Sequence, residues 1–377
     1  MTGIPHQTAA APAVPTAQRI GRLTPLAEVT AALAVVSPVA PRAMPVEQAA
    51  GLVLAATVTG RLRPVAPLAL VDGYAVRAEE TRDAGGYAPA LLSQSPEWVR
   101  AGASLPPDTD AVAPPATVAI GDFGAEVLSP LAWGDGVRAA GADCAEGALL
   151  AGAGRRLRRG DCVALRLAGV SAVNVRVPRI VVAMLRDDDV MRAIADAIAD
   201  RVVAAGGTAS VTTATADAAL AADSDALLTI GRTGEGRDDD AALALARAGK
   251  VMAHGIAVSP GETAAAGVVG VRPVLMLPGR LDAALAVWLT LGRPLLARLT
   301  GLTESPRPRA LPLTQKIVST IGLCDVVPVA LTAGGAAPLA TRFWPLPALT
   351  RADGFVLVPP ESEGFPPGAT VTVTSWR

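Results

Sequence analysis

Three short segments of this chain combine the residue types that bind phosphorylated ligands. They are Arg186-Asp187-Asp188-Asp189, the stretch Gly231-Arg232-Thr233-Gly234-Glu235-Gly236-Arg237-Asp238-Asp239-Asp240, and Pro278-Gly279-Arg280. Glycine lets backbone N–H groups approach a phosphate, and a following helix N-terminus favours an anion. Arginine's planar fork matches phosphate and other oxyanions. A carboxylate holds Mg²⁺ through one or two oxygens beside a phosphate. Together the segments suggest a small phosphorylated ligand with a divalent ion. Each also has a plainer reading. An acidic triplet ahead of a helix, such as Asp187–Asp189 or Asp238–Asp240, serves equally as a cap that complements the helix dipole. Gly231–Gly236 lacks the G-x-G-x-x-G spacing and a following Lys-Ser/Thr, so it is neither a dinucleotide fingerprint nor a P-loop. His254 is the one histidine outside the N-terminal tail, and a lone histidine is more often structural than catalytic. With no G-x-S-x-G elbow, a Ser-His-Asp hydrolase has little support.

The elements that must position these segments alternate. Ile180–Leu185 is an apolar run of strand length. Val190, Ile194, Ile198 and Val202 then recur every four residues until Gly206-Gly207, which makes a helix stripe. Ala209–Thr213, Ala226–Ile230 and Val274–Leu277 read as strands, Asp217–Ala222 and Ala241–Ala248 as helices, and Leu281–Leu299 as one long helix. Strands alternating with helices predict an α/β domain with a mainly parallel sheet, whose ligands bind beyond the carboxyl ends of the strands. Upstream, residues 1–18 read as a flexible tail. Leu23–Val36 and Pro45–Val58 read as helices, 60–136 as short β pieces cut by Pro and Gly, and Asp161–Ala168 as a helix closed by Gly169. Ser305–Pro312 reads as a Pro-rich linker, followed by a small β-domain without helical period.

Composition bounds the possibilities. In 377 residues, 51% are hydrophobic and 18% charged, enough for a sizeable core and against wholesale disorder. A net charge of −1 gives no global pull toward nucleic acid or anionic membrane. Among the 33 basic residues only Lys250 and Lys316 are lysines. The three cysteines, Cys144, Cys162 and Cys324, are widely spaced and odd in number, which argues against a disulfide framework or a cysteine zinc site. Neither a secretory signal nor an apolar run of membrane-spanning length is visible. A soluble cytoplasmic protein is expected.

Several strings, in order from about residue 20 to the C-terminus, resemble the MoeA-type molybdopterin molybdenumtransferases, a family that includes the E domain of gephyrin. Val71-Asp72-Gly73-Tyr74-Ala75 resembles the family's M-D-G-Y-A. Ala101-Gly102-Ala103-Ser104-Leu105-Pro106 with Asp110-Ala111-Val112 resembles T-G-A-x-L-P…A-D-A-V, and Val137-Arg138-Ala139-Ala140-Gly141-Ala142-Asp143 resembles V-R-x-x-G-E-D. His254-Gly255-Ile256-Ala257 with Pro260-Gly261 resembles H-G-V-A-x-K-P-G-K-P. Leu277-Pro278-Gly279 with Ala283-Ala284 resembles L-P-G-N-P-V-S-A, and Ala352-Asp353-Gly354 resembles the A-D-G of the final domain.

The resemblance implies an α/β plus β, multidomain, elongated architecture that forms a homodimer. Its expected parts are an N-terminal segment (19–59 and 137–178), an inserted β-rich domain (60–136), an α/β molybdopterin-binding domain (179–304) and a C-terminal β-domain (305–377). The implied activity is Mg²⁺-dependent insertion of molybdate into adenylylated molybdopterin with release of AMP. The implied site lies between the α/β domain of one subunit and the inserted domain of the other. Asp72 carries over directly from the inserted domain. With Asp239, which keeps its place in the glycine loop, and Arg280, which stands where the family has Asn and would take over anion contact, it makes up the catalytic candidates, Asp72 and Asp239 holding the metal. Asp188, Gly231, Arg232, Gly236, Pro260, Gly261, Pro278 and Gly279 are the candidates for binding the pterin substrate.

The chain departs from the family where the chemistry belongs. Ala101 stands for Thr, the first loop is a shorter Arg186–Asp189 without glycine, and both serines of the glycine loop are replaced. Arg237 stands for an acid, Ser259 and Glu262 for the two lysines of K-P-G-K-P, and Arg280-Leu281 for Asn-Pro. Molybdate is a dianion. Two unit charges about 4 Å apart interact by about 4 kcal/mol at an effective dielectric near 20, so a lysine replaced by Glu262 weighs heavily. Arg186, Arg232, Arg237 and Arg280 fall where the pattern is broken and can restore positive charge in another geometry. Two functions from different classes stand open: the transferase itself, or a catalytically degenerate homologue that carries molybdopterin or finished cofactor, or partners a true transferase or a molybdoenzyme. A scaffold with an empty site is the third.

Overall fold

The computed structural model describes residues 18–304 and 308–376. The chain forms two compact units, one of 43–50 with 54–174 and the other of the remaining described residues. The expected tail 1–18 lies outside the description except for Gln18, which is not loose: it is buried. Helix α1 occupies Leu26–Leu33, within the expected 23–36, with Val29 and Leu33 turned to the core.

The smaller unit is built from short strands. The expected helix over Pro45–Val58 is reduced to a single 3₁₀ turn, Val46–Gln48. Gly51 takes a φ of +86° and ends it, after which Val53–Leu54 and Val58–Thr59 are extended. A three-stranded antiparallel sheet places β1 (Gly73–Val76) between β2 (Glu97–Val99) and β3 (Ala111–Ala113). Gly73 is required there, because a Cβ would fall 2.3 Å from the Ala113 carbonyl oxygen. Helix α2 (Arg159–Leu167) closes the unit, and Gly169, at φ +82°, turns the chain out of it.

The larger unit centres on a six-stranded sheet. In chain order its elements are β4 (Arg179–Met184), α3 (Asp189–Ala204), β5 (Thr208–Thr213), α4 (Ala216–Ala221), β6 (Ala226–Ile230), α5 (Ala241–Ala248), β7 (Lys250–His254), β8 (Val258–Ser259), β9 (Ala265–Val269), β10 (Arg272–Leu277), α6 (Leu281–Val287) and α7 (Arg293–Thr300). The order is β5-β4-β6-β10-β9-β7, with β8 outside it. The β5, β4, β6 and β10 ladders are parallel, as expected. Strands β9 and β7, which periodicity did not reveal, add antiparallel ladders. Two reversals restore direction, so β7 runs with β10 and its His254 end lies at the same edge as Leu277.

Alternation along β4 sorts the core. Ile180, Val182 and Met184 face α3, α6 and α7, while Val181 and Ala183 face α4 and α5. On α3 the buried stripe is Met191, Ile194, Ala195, Ile198 and Val202, with Val190 exposed. Each fully buried Ile or Val there contributes about 1.5–3 kcal/mol. The expected long helix Leu281–Leu299 is interrupted by one π turn, Trp288–Gly292. Pro294, which lacks an N–H, opens the next helix just beyond it.

The C-terminal sheet uses β11 (Arg309–Pro312), β12 (Cys324–Thr332), β13 (Gly335–Pro338), β14 (Gly354–Val358) and β15 (Thr370–Ser375). Arg309–Pro312 therefore belongs to a strand paired with β15 and is not linker; residues 305–307 lie outside the description. A short helix, α8 (Leu346–Arg351), also escaped the sequence reading. Strand β8 joins this sheet by pairing in parallel with β12, Val258 beside Cys324 and Ser259 beside Asp325.

Candidate active site at the carboxyl edge of the parallel strands

Register brings the last residues of three strands into one row: Met184 opposite Ile230, and Ile230 opposite Leu277. The loops that follow them, with the loop after His254, emerge along one edge. This edge gathers Asp188, Gly231, Arg232, Gly236, Asp239, Pro260, Gly261, Pro278, Gly279 and Arg280. Asp72 lies in the other unit.

In the first loop Asp188 is the N-cap of α3. Its Oδ1 accepts the Met191 amide at 2.9 Å, and its Oδ2 is paired with Arg186. The Met191 amide, then Arg186, hold its carboxyl below the usual range. Asp187 pairs with Arg192 at 3.3 Å. Within this acidic triplet Asp188 alone caps the helix.

The glycine loop is folded upon itself. Gly231, at φ +91°, donates its amide to Leu277 O at 2.9 Å. Arg232 also takes a left-handed φ of +54°, and its Nη1 lies 3.3 Å from Asp240 Oδ1. Asp239 turns Oδ2 back to the Gly236 amide at 2.8 Å. Cβ atoms at Gly234 and Gly236 would sit 2.8 and 3.0 Å from that oxygen, so these glycines make room for a carboxylate. Arg237 is exposed and forms no ion pair among the described residues. His254 Nε2 lies 2.9 Å from Thr233 O and ties β7 to the loop, the structural role expected of a lone histidine.

Gly279 and Gly231 lie against each other around Met191. A Cβ at Gly279 would fall 2.7 Å from Met191 Cε and 3.5 Å from Gly231 Cα. Both glycines are thus used for packing. Gly261, at φ +134°, follows the cis Ser259–Pro260 bond and packs on α6, where a Cβ would meet Val287 Cγ2 at 2.8 Å. Arg280 is held by Asp282, Nε to Oδ1 at 3.1 Å and Nη2 to Oδ2 at 2.7 Å. That hydrogen-bonded acid raises the Arg280 pKa against the opposing effect of burial, with Glu262 a smaller contribution. The guanidinium also lies 5.6 Å from the Phe343 ring centroid. Glu262 Oε2 accepts the Gly261 amide at 3.0 Å.

Of the four arginines read as replacement charge, three are thus matched by a carboxylate close in sequence: Arg186 by Asp188, Arg232 by Asp240 and Arg280 by Asp282. Arg237, exposed, has no such carboxylate partner among the described residues. Cys324, on β12, supplies no nucleophile: burial, then the charges of Asp325 and Glu361, push its thiol up to about 11.

Asp72, in the smaller unit, precedes β1 and is exposed. Its Oδ1 accepts the Ala101 amide at 2.7 Å. Beside it Tyr74 and Trp98 meet edge to face at 5.0 Å. Asp72 and Asp239 each keep one carboxylate oxygen without a hydrogen bond among the described residues. Those residues contain no group of three or more His, Cys, Asp or Glu able to cage a metal. Single carboxylates of this kind suit an ion that shares its coordination with a substrate phosphate and water. A cleft of about 310 Å³ in the smaller unit, lined by residues including Thr57, Thr59, Arg61, Ser171 and Asn174, contains none of the candidate residues.

Four residues at the edge escaped the sequence reading: Gln18, Met191, Asp282 and Trp344. Asp282 had a signal, an acid two residues after an arginine at a helix start. Gln18 had none.

An open α/β sheet with glycine-bearing loops at its carboxyl edge, joined to a β-sheet, defines a multidomain protein of α/β plus β class. Residues 24–169 match the MoeA N-terminal region (domain I and II), and residues 197–298 a probable molybdopterin binding domain. A crystal structure of a molybdopterin biosynthesis MoeA protein from Pyrococcus horikoshii superposes with a TM-score of 0.78 at 25% identity, over 94% of this chain and 100% of that one. A molybdenum cofactor biosynthesis protein from Pyrococcus furiosus shares the fold at a TM-score of 0.60 and 17% identity, over 94% of this chain and 100% of that one. A protein of Methanocaldococcus jannaschii named for molybdopterin biosynthesis is 28% identical over 152 residues, 40% of this chain and 36% of that relative. The match thus spans about a third of the relative's length. The chain belongs to the MoeA-type molybdopterin biosynthesis family, and its place is in molybdenum cofactor biosynthesis. No helix among the described residues is long and apolar enough to cross a membrane.

Proposed function

We propose that the protein receives adenylylated molybdopterin at the carboxyl edge of the six-stranded sheet and acts at molybdate insertion, with release of AMP. The observation that carries this reading is the convergence of four loop ends on one edge, where, among the described residues, Asp239 Oδ1 has no hydrogen bond and Arg237 no ion pair. In this reading Arg237, rather than Arg280, meets the anionic ligand. Asp239, with Asp72 supplied by the inserted domain of a partner copy in a homodimer, holds Mg²⁺. When bound, that ion neutralises phosphate charge beside the carboxylates. The surrounding carboxylates otherwise repel a phosphate, so the divalent ion is a physical requirement of the reading.

A second reading is favoured by the three matched arginines. A site whose cations are already neutralised lacks the fixed positive field that a molybdate dianion needs. The protein then binds molybdopterin as carrier or accessory subunit. Purified protein incubated with adenylylated molybdopterin, molybdate and Mg²⁺ separates the two. AMP release with active cofactor supports insertion; tight pterin binding without AMP release supports the accessory role; neither binding nor turnover defeats both.

A further inference from the structure

The edge loops are held by a segment from far away in sequence. Gln18, 3% exposed, places its carboxamide inside the glycine loop. Its Nε2 donates to the carbonyls of Arg232 at 2.9 Å and Gly234 at 2.7 Å, and its Oε1 accepts the Ala242 amide at 2.9 Å. Helix α5 starts at Ala241, and Asp240 provides no side-chain cap. A helix leaves its first amides without partners, and Gln18 fills one of them. Two residues on, the Ile20 amide donates to Glu235 Oε1 at 2.7 Å.

The same segment then crosses the loop after β7. Thr24 donates its amide to Gly255 O at 2.9 Å and accepts the Ala257 amide at 2.8 Å. Gly255, at φ +88°, leaves space for it, since a Cβ there would fall 2.3 Å from Ile20 Cγ2. Residues 18–24 thus stitch the glycine loop, which carries Arg237 and Asp239, to residues 255–257 after β7.

We propose that Gln18 is a positioning residue for the molybdopterin site, acting through the glycine loop; the ligand part of this rests on the function proposed above. One carboxamide both donates and accepts, so it locks the two carbonyls and the α5 amide at once. By filling the Ala242 N–H it also withdraws that helix amide from anion recognition.

Gln18→Met keeps the length and removes every hydrogen bond. Gln18→Glu keeps the acceptor but, when ionised, sets a charge against two carbonyls. Both are tested in the full chain by amide hydrogen exchange and by direct molybdopterin binding at pH 5 and pH 8, with the unchanged chain as reference for the loop's own charges at Arg232, Glu235, Arg237, Asp239 and Asp240. The expected result is at least tenfold faster exchange over 231–242 with β4, β6 and β10 unchanged, which also shows that the variants fold. Molybdopterin affinity falls tenfold or more in Gln18→Met at both pH values. In Gln18→Glu it falls at pH 8 and returns in part at pH 5, because burial against two carbonyls raises the carboxyl's pKa and its single O–H then donates to one of them. Unchanged loop exchange overturns the proposal, as does faster exchange with unaltered affinity. If the unchanged chain binds no molybdopterin, the functional reading and the ligand part fall, and exchange alone decides the loop part.

Discussion

Arg280 and Asp282 form a two-point ion pair, with Nε 3.1 Å from Oδ1 and Nη2 2.7 Å from Oδ2, while the acid is 4% exposed. The same carboxylate accepts its own helix's Ala283 amide at 2.8 Å and the Trp344 amide at 3.1 Å. Asp282 is therefore the anchor, and Arg280 its half-exposed counter-charge. Asp282→Ala orphans both amides and is expected to lower stability by about 1–3 kcal/mol, the range for a buried donor left unsatisfied. Urea denaturation of the two proteins measures it. Arg280→Ala should destabilise as well, since the carboxylate then stays buried without its counter-charge.

The ligand-facing prediction concerns Arg237. Arg237→Ala removes the glycine-loop cation that has no ion pair among the described residues and is expected to weaken molybdopterin binding by about ten- to a hundredfold, in line with about 1.5–3 kcal/mol for a hydrogen bond to a charged group. Arg186→Ala should change affinity by less than about threefold, because its guanidinium is already matched by Asp188 and exposed pairs contribute about 0–1 kcal/mol. Equal losses in the two variants would refute this division of roles.

Packing around Met191 gives a third test. Gly279→Ala sets a methyl group 2.7 Å from Met191 Cε and is expected to destabilise by about 1–3 kcal/mol through overpacking. Because the clashing atom ends a flexible side chain, Met191→Ala in the same chain should return part of that loss. A double-mutant cycle without coupling would show that the glycine is not there for Met191.

Acid stability supplies a fourth. Asp188 has its folded pKa depressed by the Met191 amide and Arg186. Its stabilisation is full above the unfolded value near 3.9 and is lost as pH falls through the lower folded value. Asp188→Asn keeps a capping oxygen and removes the titration. The variant should show a shallower fall in stability below about pH 4, with little difference in slope between pH 6 and 8. Chemical denaturation across that range reads the slope.

Much of the edge was legible because periodic residues report burial. Ile180–Leu185, Ala226–Ile230 and Ala241–Ala248 lie where their patterns put them. Strands β7 and β9 were not legible, since Lys250–His254 mixes polar and apolar residues and Ala265–Val269 is short and rich in alanine. Pro45–Val58 misled because its one-turn spacing of Val46, Ala50 and Leu54 ignored Gly51, whose positive φ breaks a helix. At the site, residue type was readable and pairing was not. Arg232 and Asp240 are eight residues apart and meet only because the loop curls back. Gln18 stood in an Ala/Pro-rich segment that carried no sign of a partner more than two hundred residues away.

The apolar core of the larger unit does not stop at the six-stranded sheet. One cluster runs from Met184, Leu228 and Leu275 through Trp288 to Val326, Trp344, Phe355 and Trp376 of the C-terminal region. Trp344 and Trp376 pack at 5.5 Å, and β8 pairs with β12 across the same ground. Cooperative melting follows interior contact rather than the order of sheets along the chain. The C-terminal sheet is thus no detachable module, and heat should take it apart in one calorimetric transition with the α/β sheet. A chain ended near residue 304 would bare this interior and should aggregate instead of yielding a free-standing ligand domain.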